Sequence, residues 1–269
     1  MSELAGILPL QIHVYGVLLA LAFAGGIGMG IHLSGRFGIT TDQIIDLAIV
    51  FMFSAMLGSR LLYIFLYPQQ FQDAWSWFAL NRGGLVFFGG FLATVAAVVL
   101  FGKWHHISLR VLGDLIAPSL ALGHMIGRLG CFANGCCYGA ASDLPWACRF
   151  SSAGDSVLRH PTQLYEAAFL FAAMTVTYTL LVRRASTGHP PAGFIWGGYV
   201  ASYGLFRFMI EFLRDDDRGG FFTPLHLSIS QLVGLGAMAA AVVWLILCSR
   251  RAQPAVLFNV PLRNGALTK

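Results

Sequence analysis

Long apolar stretches alternate with short polar ones along the whole chain. Seven apolar stretches can be marked, over residues 15–33, 44–67, 84–101, 111–132, 162–182, 192–213 and 229–248. A helix needs about 20 mainly apolar residues to cross the hydrocarbon core of a bilayer, and each stretch is close to that length. The short alternating strands of outer-membrane barrels do not occur. The pattern predicts an all-α polytopic membrane protein with seven transmembrane helices.

The composition supports this prediction and argues against nucleic-acid binding. Of the 269 residues, 57% are hydrophobic and only 11% are charged, whereas a soluble domain carries about 25% charged residues. The mean hydropathy is +0.70. The net charge of +5 comes from cations distributed over the loops. We therefore expect membrane lipids as partners and no nucleic acid.

The distribution of Lys and Arg predicts the orientation in the membrane. The connections on one side of the predicted helices hold nine cations, which are Arg36, Lys103, Arg110, Arg183, Arg184, Arg250, Arg251, Arg263 and Lys269. Only Asp42, Asp46 and Asp114 oppose them there. Because Lys and Arg are enriched in short cytoplasmic loops, this side is predicted to be cytoplasmic. The carboxyl terminus then lies inside and, with an odd number of helices, the amino terminus outside.

The same reading predicts one transmembrane domain over residues 1–249 and a short cytoplasmic tail over 250–269. Its exterior loops are residues 68–82, 133–161 and 214–227. The second of these loops is the longest and is rich in Gly, Ser and Asp, so we expect it to form a small exterior cap.

Polar side chains from five predicted helices fall at one depth. At about 1.5 Å per helical residue, the outer halves of these helices carry Tyr15, Arg60, Arg128, Glu166, Arg207 and Glu211. A charged side chain in hydrocarbon costs at least about 2.5–3.5 kcal/mol, so a functional role is the default interpretation. The sequence therefore predicts a buried polar cluster that opens towards the exterior.

One polar stripe predicts contact with an anion. Tyr203, Arg207 and Glu211 are spaced four apart, which places them on one helical face. Arg207 and Glu211 form an internal ion pair in one interpretation, and Glu211 aims Arg207 at an anion in another; both can hold. Arginine binds phosphate oxygens in a bidentate manner, so several arginines in one layer suggest a phosphate group.

Structural explanations that need no substrate are also available for Arg60, Glu166 and His124. Arg60 can extend to the membrane surface along its own apolar stem. Glu166 acts as a base, orients an arginine, or only caps the start of its helix. His124 lies one turn before Arg128 and can face the same site, although a membrane histidine more often hydrogen-bonds a neighbouring helix, which is the interpretation we favour.

Four cysteines, Cys131, Cys136, Cys137 and Cys148, fall on the predicted exterior side, where disulfides persist in a bacterial envelope. Sequence cannot choose among their three pairings. At least one disulfide is expected. No metal site is expected, because these cysteines do not form the C-x-x-C pairs of zinc sites. A nucleophilic cysteine has no assigned basic partner, and Cys248 is expected to be a lone buried thiol.

The chain resembles the prolipoprotein diacylglyceryl transferases, which are seven-helix enzymes of the bacterial inner membrane. The resemblance runs from about residue 13 to 231, and its most specific elements are G-R-L-G-C-F-A-N-G-C-C-Y-G at 127–139, H-P-T-Q-L-Y-E at 160–166 and Y-G-L-F-R-F-M-I-E-F-L-R at 203–214. It implies transfer of a diacylglyceryl group from phosphatidylglycerol to the lipobox cysteine thiol of a preprolipoprotein, with release of glycerol phosphate. It also implies an active site that faces the periplasm, signal peptides of preprolipoproteins as partners, and no cofactor.

The resemblance also implies site residues. Functional positions of the family match Tyr15, Arg128, Asn134, Gly139, Arg207 and Glu211, and Arg60 and Glu166 lie in matching segments. Many members carry histidine, a proposed catalytic base, where this chain has Phe88, and N-F-I-N-G-E where it has C-F-A-N-G-C at 131–136. The base is therefore unassigned, with Glu166, His124 and the substrate phosphate as candidates.

We expect Arg128 and Arg207 to hold the lipid phosphate, with Glu211 orienting Arg207. Tyr15 and Asn134 would position the headgroup or the peptide, and Gly139, Arg60, Glu166, Tyr203 and His124 complete the predicted substrate site. An enzyme with another thiol acceptor is an alternative. A carrier for an anionic lipid or metabolite ranks lower, because carriers often contain internal repeats and this chain has none.

Overall fold

Seven α-helices account for most of the structure. The computed structural model describes residues 14–71, 77, 84–214, 221–222 and 227–250. The helices are α1 Val14–Ser34, α2 Thr41–Leu66, α3 Phe87–Trp104, α4 Leu109–Ala133, α5 Thr162–Thr187, α6 Phe194–Ile210 and α7 Ile229–Arg250. A short antiparallel pair joins β1 Phe221–Phe222 to β2 Leu227–Ser228. The predicted helical class is confirmed, and the described residues contain seven helices; that all seven span the membrane stays a prediction.

Six of the seven helices, all except α6, are long and apolar enough to cross a membrane. Helix α6 has 17 residues and continues as a 3-10 turn over Glu211–Leu213. Large apolar side chains remain exposed, with Phe65 at 79%, Phe87 at 72% and Trp104 at 82%. Apolar surface of this kind is what a lipid environment covers. The chain is a multi-pass membrane protein.

Local capping explains where several helices begin and end. Thr40 and Gln43 form a reciprocal capping box at the start of α2. Ser228 and Gln231 make the same exchange at the start of α7, at 2.9 and 3.1 Å. Helix α5 ends at Thr187 and is capped by Gly188, whose left-handed conformation closes the last turn. The predicted limits agree with the helices to within a few residues.

The described residues fall into two compact units, the first of which comprises those that lie within Met1–Phe37 and Gly113–Lys269. Within it, α6 and α7 approach until a Cβ on Gly204 would lie 2.8 Å from the Gly234 carbonyl oxygen. Small residues of this kind allow membrane helices to pack backbone to backbone. Helix α1 packs on α4 in a similar way, with Gly26 against the Ser119 carbonyl.

A buried carboxylate joins three helices of this unit. Asp114 on α4 is fully buried and pairs with Arg184 on α5. The same carboxylate accepts hydrogen bonds from the backbone N–H groups of Gly193, at 2.7 Å, and Trp196, at 2.8 Å. It thereby satisfies unpaired donors at the amino end of α6. The sequence analysis counted Asp114 and Arg184 among loop charges, and the structure corrects this by placing both inside helices.

We expect Asp114→Asn to destabilise the protein by about 1.5–3 kcal/mol, because hydrogen bonds to a charged acceptor are worth about that much and the amide replaces the acceptor only in part. The measurement is the free energy of unfolding in detergent. Asp46→Asn is the control, since Asp46 is exposed on α2 and surface changes are usually worth less than about 0.5 kcal/mol. Equal losses in the two variants would contradict this assignment.

The second unit, Gly38–Leu112, contains α2 and α3. A Cβ on Gly89 of α3 would overlap the Gly58 carbonyl oxygen of α2, and a Cβ on Gly58 would in turn overlap the Gly89 carbonyl oxygen. The two backbones are therefore in direct contact, and the glycine pairs of the 83–91 stretch act in helix packing. Helix α3 begins three residues later than predicted, because Gly84 has a positive φ of 84° and Val86, the residue before the first helical turn, is extended.

Gly89→Ala is expected to lower the free energy of unfolding by about 1–3 kcal/mol, since the added methyl group forces two backbones apart. Gly28→Ala provides the comparison, because a Cβ on Gly28 of α1 meets nothing within 4 Å. There the better helix propensity of alanine applies, which favours the folded state by up to about 1 kcal/mol. Opposite signs in a thermal unfolding assay are the expected result.

The predicted cap loop is described over residues 134–161. Phe150 is buried between the rings of Phe132, at 6.0 Å, and Tyr138, at 5.0 Å. Cys148 and Arg159 exchange backbone hydrogen bonds of 2.9 and 3.0 Å. The loop therefore has a small core of its own. The described residues leave out most of the predicted exterior loops 68–82, which include Trp75, and 214–227, and also the tail over 251–269. The predicted boundary at residue 249 between the transmembrane domain and the tail stays a prediction.

Candidate active site

Glu166 is the centre of the polar cluster. It lies one turn into α5 and is 1% exposed. Its Oε2 pairs with Nε of Arg128 at 2.9 Å, and its Oε1 lies 3.4 Å from Nε2 of His124. The hydroxyl of Tyr203 donates to the same Oε1 at 2.9 Å. His124 and Arg128 are four residues apart on α4, so both face α5. His124 thus lies beside a carboxylate of a neighbouring helix, and its contact with substrate stays a prediction.

A second ion pair lies on α6 and the turn that follows it. Arg207 Nη1 lies 2.8 Å from Glu211 Oε2. The amino end of α7 supports both partners, because Arg207 Nη2 donates to Ser230 Oγ at 3.0 Å and Ser228 Oγ donates to Glu211 Oε1 at 2.8 Å. The predicted pairing of Arg207 with Glu211 is confirmed. The sequence analysis missed the two serines, whose signal is the polar S-I-S-Q run at 228–231.

Tyr203 links the two ion pairs. Its ring lies 5.3 Å from that of His124, and it stands one turn before Arg207 on α6. Arg128 and Tyr203 both contact Glu166, so Tyr203 connects this carboxylate to the face of α6 that carries Arg207. The two guanidinium groups therefore share one environment. Each guanidinium group has a carboxylate partner of its own. The Arg128 pair is made through Nε, 2.9 Å from Glu166 Oε2.

Three thiols lie close together at the carboxyl end of α4. The Sγ atoms of Cys131, Cys136 and Cys137 lie within 4.8 Å of one another, and we refer to them as the thiol cluster. The backbone N–H of Cys136 donates to the Cys131 carbonyl at 3.1 Å, which closes the turn after the helix. The next residue, Cys137, has φ +67°, in the left-handed region that non-glycine residues rarely adopt.

The predicted disulfide is wrong for this structure, because none of the five cysteines, all of which lie in the described part of the chain, forms a disulfide. Consecutive Cα atoms are about 3.8 Å apart, below the usual separation in disulfides, which disfavours the Cys136–Cys137 pairing. Cys148 instead donates its thiol to the Trp146 carbonyl. The absence of C-x-x-C pairs in the sequence predicted no metal site. The left-handed turn nevertheless brings three thiols within the separation that a metal ion can bridge.

Two buried side chains of α5 fix the thiol-bearing turn. Gln163 Nε2 donates to the Cys136 carbonyl at 2.6 Å, and Thr162 Oγ1 donates to the Cys137 carbonyl at 2.9 Å. Both side chains are fully buried. The H-P-T-Q-L-Y-E segment therefore holds the turn with its third and fourth residues and Arg128 with its last.

The remaining predicted residues of this unit take different positions. The Tyr15 ring packs on Gly130 of α4 and is close enough to interact electrostatically with the thiol cluster and Arg128. Asn134 is exposed at the end of α4. Gly139 is buried, and a Cβ there would overlap the Leu213 carbonyl oxygen. The structure thus gives Gly139 a packing role, while its contact with substrate stays a prediction.

Arg60 belongs to the unit Gly38–Leu112 and is buried. Its Nε donates to the Trp77 carbonyl at 2.9 Å, and its Nη1 donates to the Gly84 carbonyl at 3.1 Å. The guanidinium also lies 5.0 Å from the centre of the Phe71 ring. These contacts tie the end of α2 to the loop that follows. A substrate contact for Arg60 stays a prediction, and Phe88 packs against Phe87 in the first turn of α3.

One ion pair stabilises the cap loop outside the helices. Arg159 Nη2 lies 2.7 Å from Asp155 Oδ2, and this hydrogen bond, with a second from the Val157 backbone, lowers the pKa of Asp155. The Arg159 guanidinium also lies 5.2 Å from the Tyr138 ring centre. The strand-like segment that leads into α5 is therefore attached to the turn that follows the thiol cluster.

Comparison with known proteins gives a consistent family signal. A family model described as prolipoprotein diacylglyceryl transferase matches residues 3–247. The phosphatidylglycerol–prolipoprotein diacylglyceryl transferase of Cupriavidus necator is 34% identical over 262 residues, which cover 94% of this chain and 94% of the relative. Those of Geobacter sulfurreducens and Pseudomonas aeruginosa (strain LESB58) are each 33% identical, over 90% and 91% of this chain and 93% of each relative.

Proposed function

Since the chain belongs to the prolipoprotein diacylglyceryl transferase family, we propose that it transfers the diacylglyceryl group of phosphatidylglycerol to the lipobox cysteine thiol of preprolipoproteins. The products are a thioether-linked lipoprotein precursor and glycerol phosphate. The observation that carries this assignment is the environment shared by Arg128 and Arg207, each held by its own carboxylate. Two such cations suit the phosphate of one lipid headgroup.

The cations act on the leaving group. The acceptor sulfur attacks as a thiolate, a carbon–sulfur bond forms, and the carbon–oxygen bond to phosphate breaks with its electron pair passing to oxygen. The phosphate gains negative charge along this path, so pre-placed donors stabilise the transition state more than the bound lipid. Arg128 and Arg207 are these donors. Glu211 and Ser230 orient Arg207, and Glu166 orients Arg128.

The other site residues position the substrates. Glu166 already interacts with three side chains, so we assign it to positioning rather than to proton removal. His124 and Tyr203 complete this group. Tyr15 and Asn134, near the thiol-bearing turn, are assigned to the headgroup or the incoming signal peptide. Arg60 anchors the loop after α2.

The protein is proposed to be a seven-span enzyme of the bacterial inner membrane with its active site facing the periplasm. The 17 residues of α6 and the three of its 3-10 extension together approach the length of a span. The cations at the opposite helix ends, among them Arg184 and Arg250, support a cytoplasmic carboxyl terminus.

The decisive experiment incubates the purified protein with phosphatidylglycerol vesicles and a lipobox peptide, followed by mass spectrometry. The expected product is the peptide plus one diacylglyceryl group, with glycerol phosphate released in equal amount. A peptide with serine in place of the lipobox cysteine is the matched control and should stay unmodified. Modification of small thiols but not of the peptide would point to another acceptor, and lipid movement across vesicles without covalent product would point to a carrier.

A further inference from the structure

We propose that Cys131, Cys136 and Cys137 bind a thiophilic divalent cation, Zn²⁺ by preference, whose fourth coordination position accepts the substrate thiol. This inference rests on the proposed function and names the group that activates its nucleophile. Among the described residues, the thiol cluster is the one group of three His, Cys, Asp or Glu side chains close enough to share a metal ion.

The spacing of the sulfur atoms fits this ion. Zinc–sulfur bonds of about 2.3 Å in a tetrahedron separate neighbouring sulfurs by about 3.8 Å. The Sγ atoms of Cys136 and Cys137 are 3.6 Å apart, and all three lie within 4.8 Å of one another. Shifts of about 1 Å in the sulfur positions would therefore bring all three S–S separations to the value in a tetrahedral zinc site.

The backbone is built to keep the thiols together. Cys137 holds a left-handed conformation, φ +67°, which costs a non-glycine residue about 1–2 kcal/mol. Strain of this kind concentrates at functional sites. The carbonyls of Cys136 and Cys137 are fixed by the buried side chains of Gln163 and Thr162. Such outer contacts are what orient the ligands of a metal.

Three protein ligands leave one position open, as in catalytic rather than structural zinc sites. A thiol that coordinates zinc is deprotonated outright, which is the form needed for attack. The acceptor thiol would lose its proton to water at the exterior mouth, and its sulfur would attack the glycerol carbon while the phosphate oxygen takes the electron pair. This supplies a route to thiolate for a reaction whose base is otherwise unassigned.

The net charge of the proposed metal site is complementary to the nearby guanidinium of Arg128. Three thiolates and one divalent cation carry a net charge of −1, and a fourth thiolate makes it −2. Arg128 stands one helical turn from Cys131 and interacts electrostatically with Cys131 and Cys137. The same guanidinium is assigned to the lipid phosphate, so nucleophile and leaving group would meet on either side of Arg128. A disulfide explains the cluster less well, because it uses two of the three sulfurs.

The first test measures metal binding by the reduced, full-length protein in detergent, with Co²⁺, Cd²⁺ and Zn²⁺ as probes. One ion per chain and sulfur-to-metal charge-transfer absorption are expected. Cys131→Ser, Cys136→Ser and Cys137→Ser should each weaken affinity by more than about tenfold. Cys148→Ser is the matched control and should bind as the unaltered protein does. No ion in the unaltered protein, or equal affinity in all four variants, overturns the proposal, as does a disulfide that reforms to the exclusion of metal.

The second test asks whether the acceptor thiol enters the coordination shell. A lipobox peptide should change the Co²⁺ spectrum from three-sulfur to four-sulfur coordination, whereas the serine peptide should leave it unchanged. Identical spectra with both peptides would overturn the role in activation. Removing the metal with a chelator should slow transfer by more than about tenfold, and Zn²⁺ should restore it.

These outcomes separate the inference from the function on which it rests. Undiminished transfer by metal-free protein would remove the metal from the reaction and leave the transferase in place. A bound ion in a protein that forms no thioether under any condition would instead overturn the proposed function.

Discussion

Glu166→Ala is expected to abolish diacylglyceryl transfer and to destabilise the protein by about 3–5 kcal/mol. Removing one partner of a buried ion pair leaves an uncompensated charge, and losses of this size are typical. Here the carboxylate serves Arg128, His124 and Tyr203 together. Without it the guanidinium of Arg128 has no fixed direction, so we expect transfer to fall by at least about 10³-fold, as when a preorganised donor is removed.

The two effects can be separated with matched variants. Glu166→Gln keeps an acceptor for Tyr203 and should lose less stability. The double variant Arg128→Met with Glu166→Leu removes both charges, so unfolding in detergent should approach the unaltered protein while transfer stays absent. Asp46→Ala, at an exposed position on α2, should change neither quantity. Full transfer by a well-folded Glu166→Ala protein would contradict the positioning role.

The helices were predictable because the membrane imposes a simple rule on sequence. Every spanning segment needs a long apolar run, and α1, α5 and α7 begin within one residue of the predicted start. The same rule predicted the buried polar cluster, since Arg128 and Arg207 stand out against apolar neighbours. Their carboxylate partners were less certain: Glu211 follows from i, i+4 spacing, whereas nothing local pairs Glu166 with Arg128.

The thiol cluster could not be predicted either, because no local sequence signal shows that its three cysteines meet. Whether Cys131, Cys136 and Cys137 meet depends on a left-handed residue at position 137, a conformation that the cysteine side chain does not favour. It depends also on two carbonyl contacts from Thr162 and Gln163, which lie 25 and 27 residues along the chain from their partners. Long-range contacts of this kind leave no periodic signal. Ser228 and Ser230 lie in a polar run at 228–231, but their partners Glu211 and Arg207 are 17 and 23 residues away, so the run alone does not identify the contacts.

Arg207→Ala should lower kcat by about 10²–10³-fold, with a smaller rise in KM. The bound lipid carries one negative charge on its phosphate, and the departing glycerol phosphate carries more, so the guanidinium stabilises the transition state more than the complex that precedes it. Arg207→Lys keeps the charge but loses the planar fork that contacts Ser230 and Glu211, so we expect an intermediate rate. Steady-state transfer with phosphatidylglycerol in mixed micelles gives both constants.

The control must distinguish loss of the contact between Arg207 and the phosphate from destabilisation by the unpaired charge of Glu211. Glu211 keeps a hydrogen bond from Ser228, at 2.8 Å, when Arg207 is removed, which limits but does not remove the cost of its unpaired charge. The double variant Arg207→Met with Glu211→Leu removes that charge altogether. If Arg207 acts on the phosphate, this variant stays as slow as Arg207→Ala although it regains stability; recovery of transfer would assign the loss to misfolding. Arg183→Ala, at an exposed position on α5, should retain full activity, because a cation outside the cluster contributes nothing to the departing phosphate.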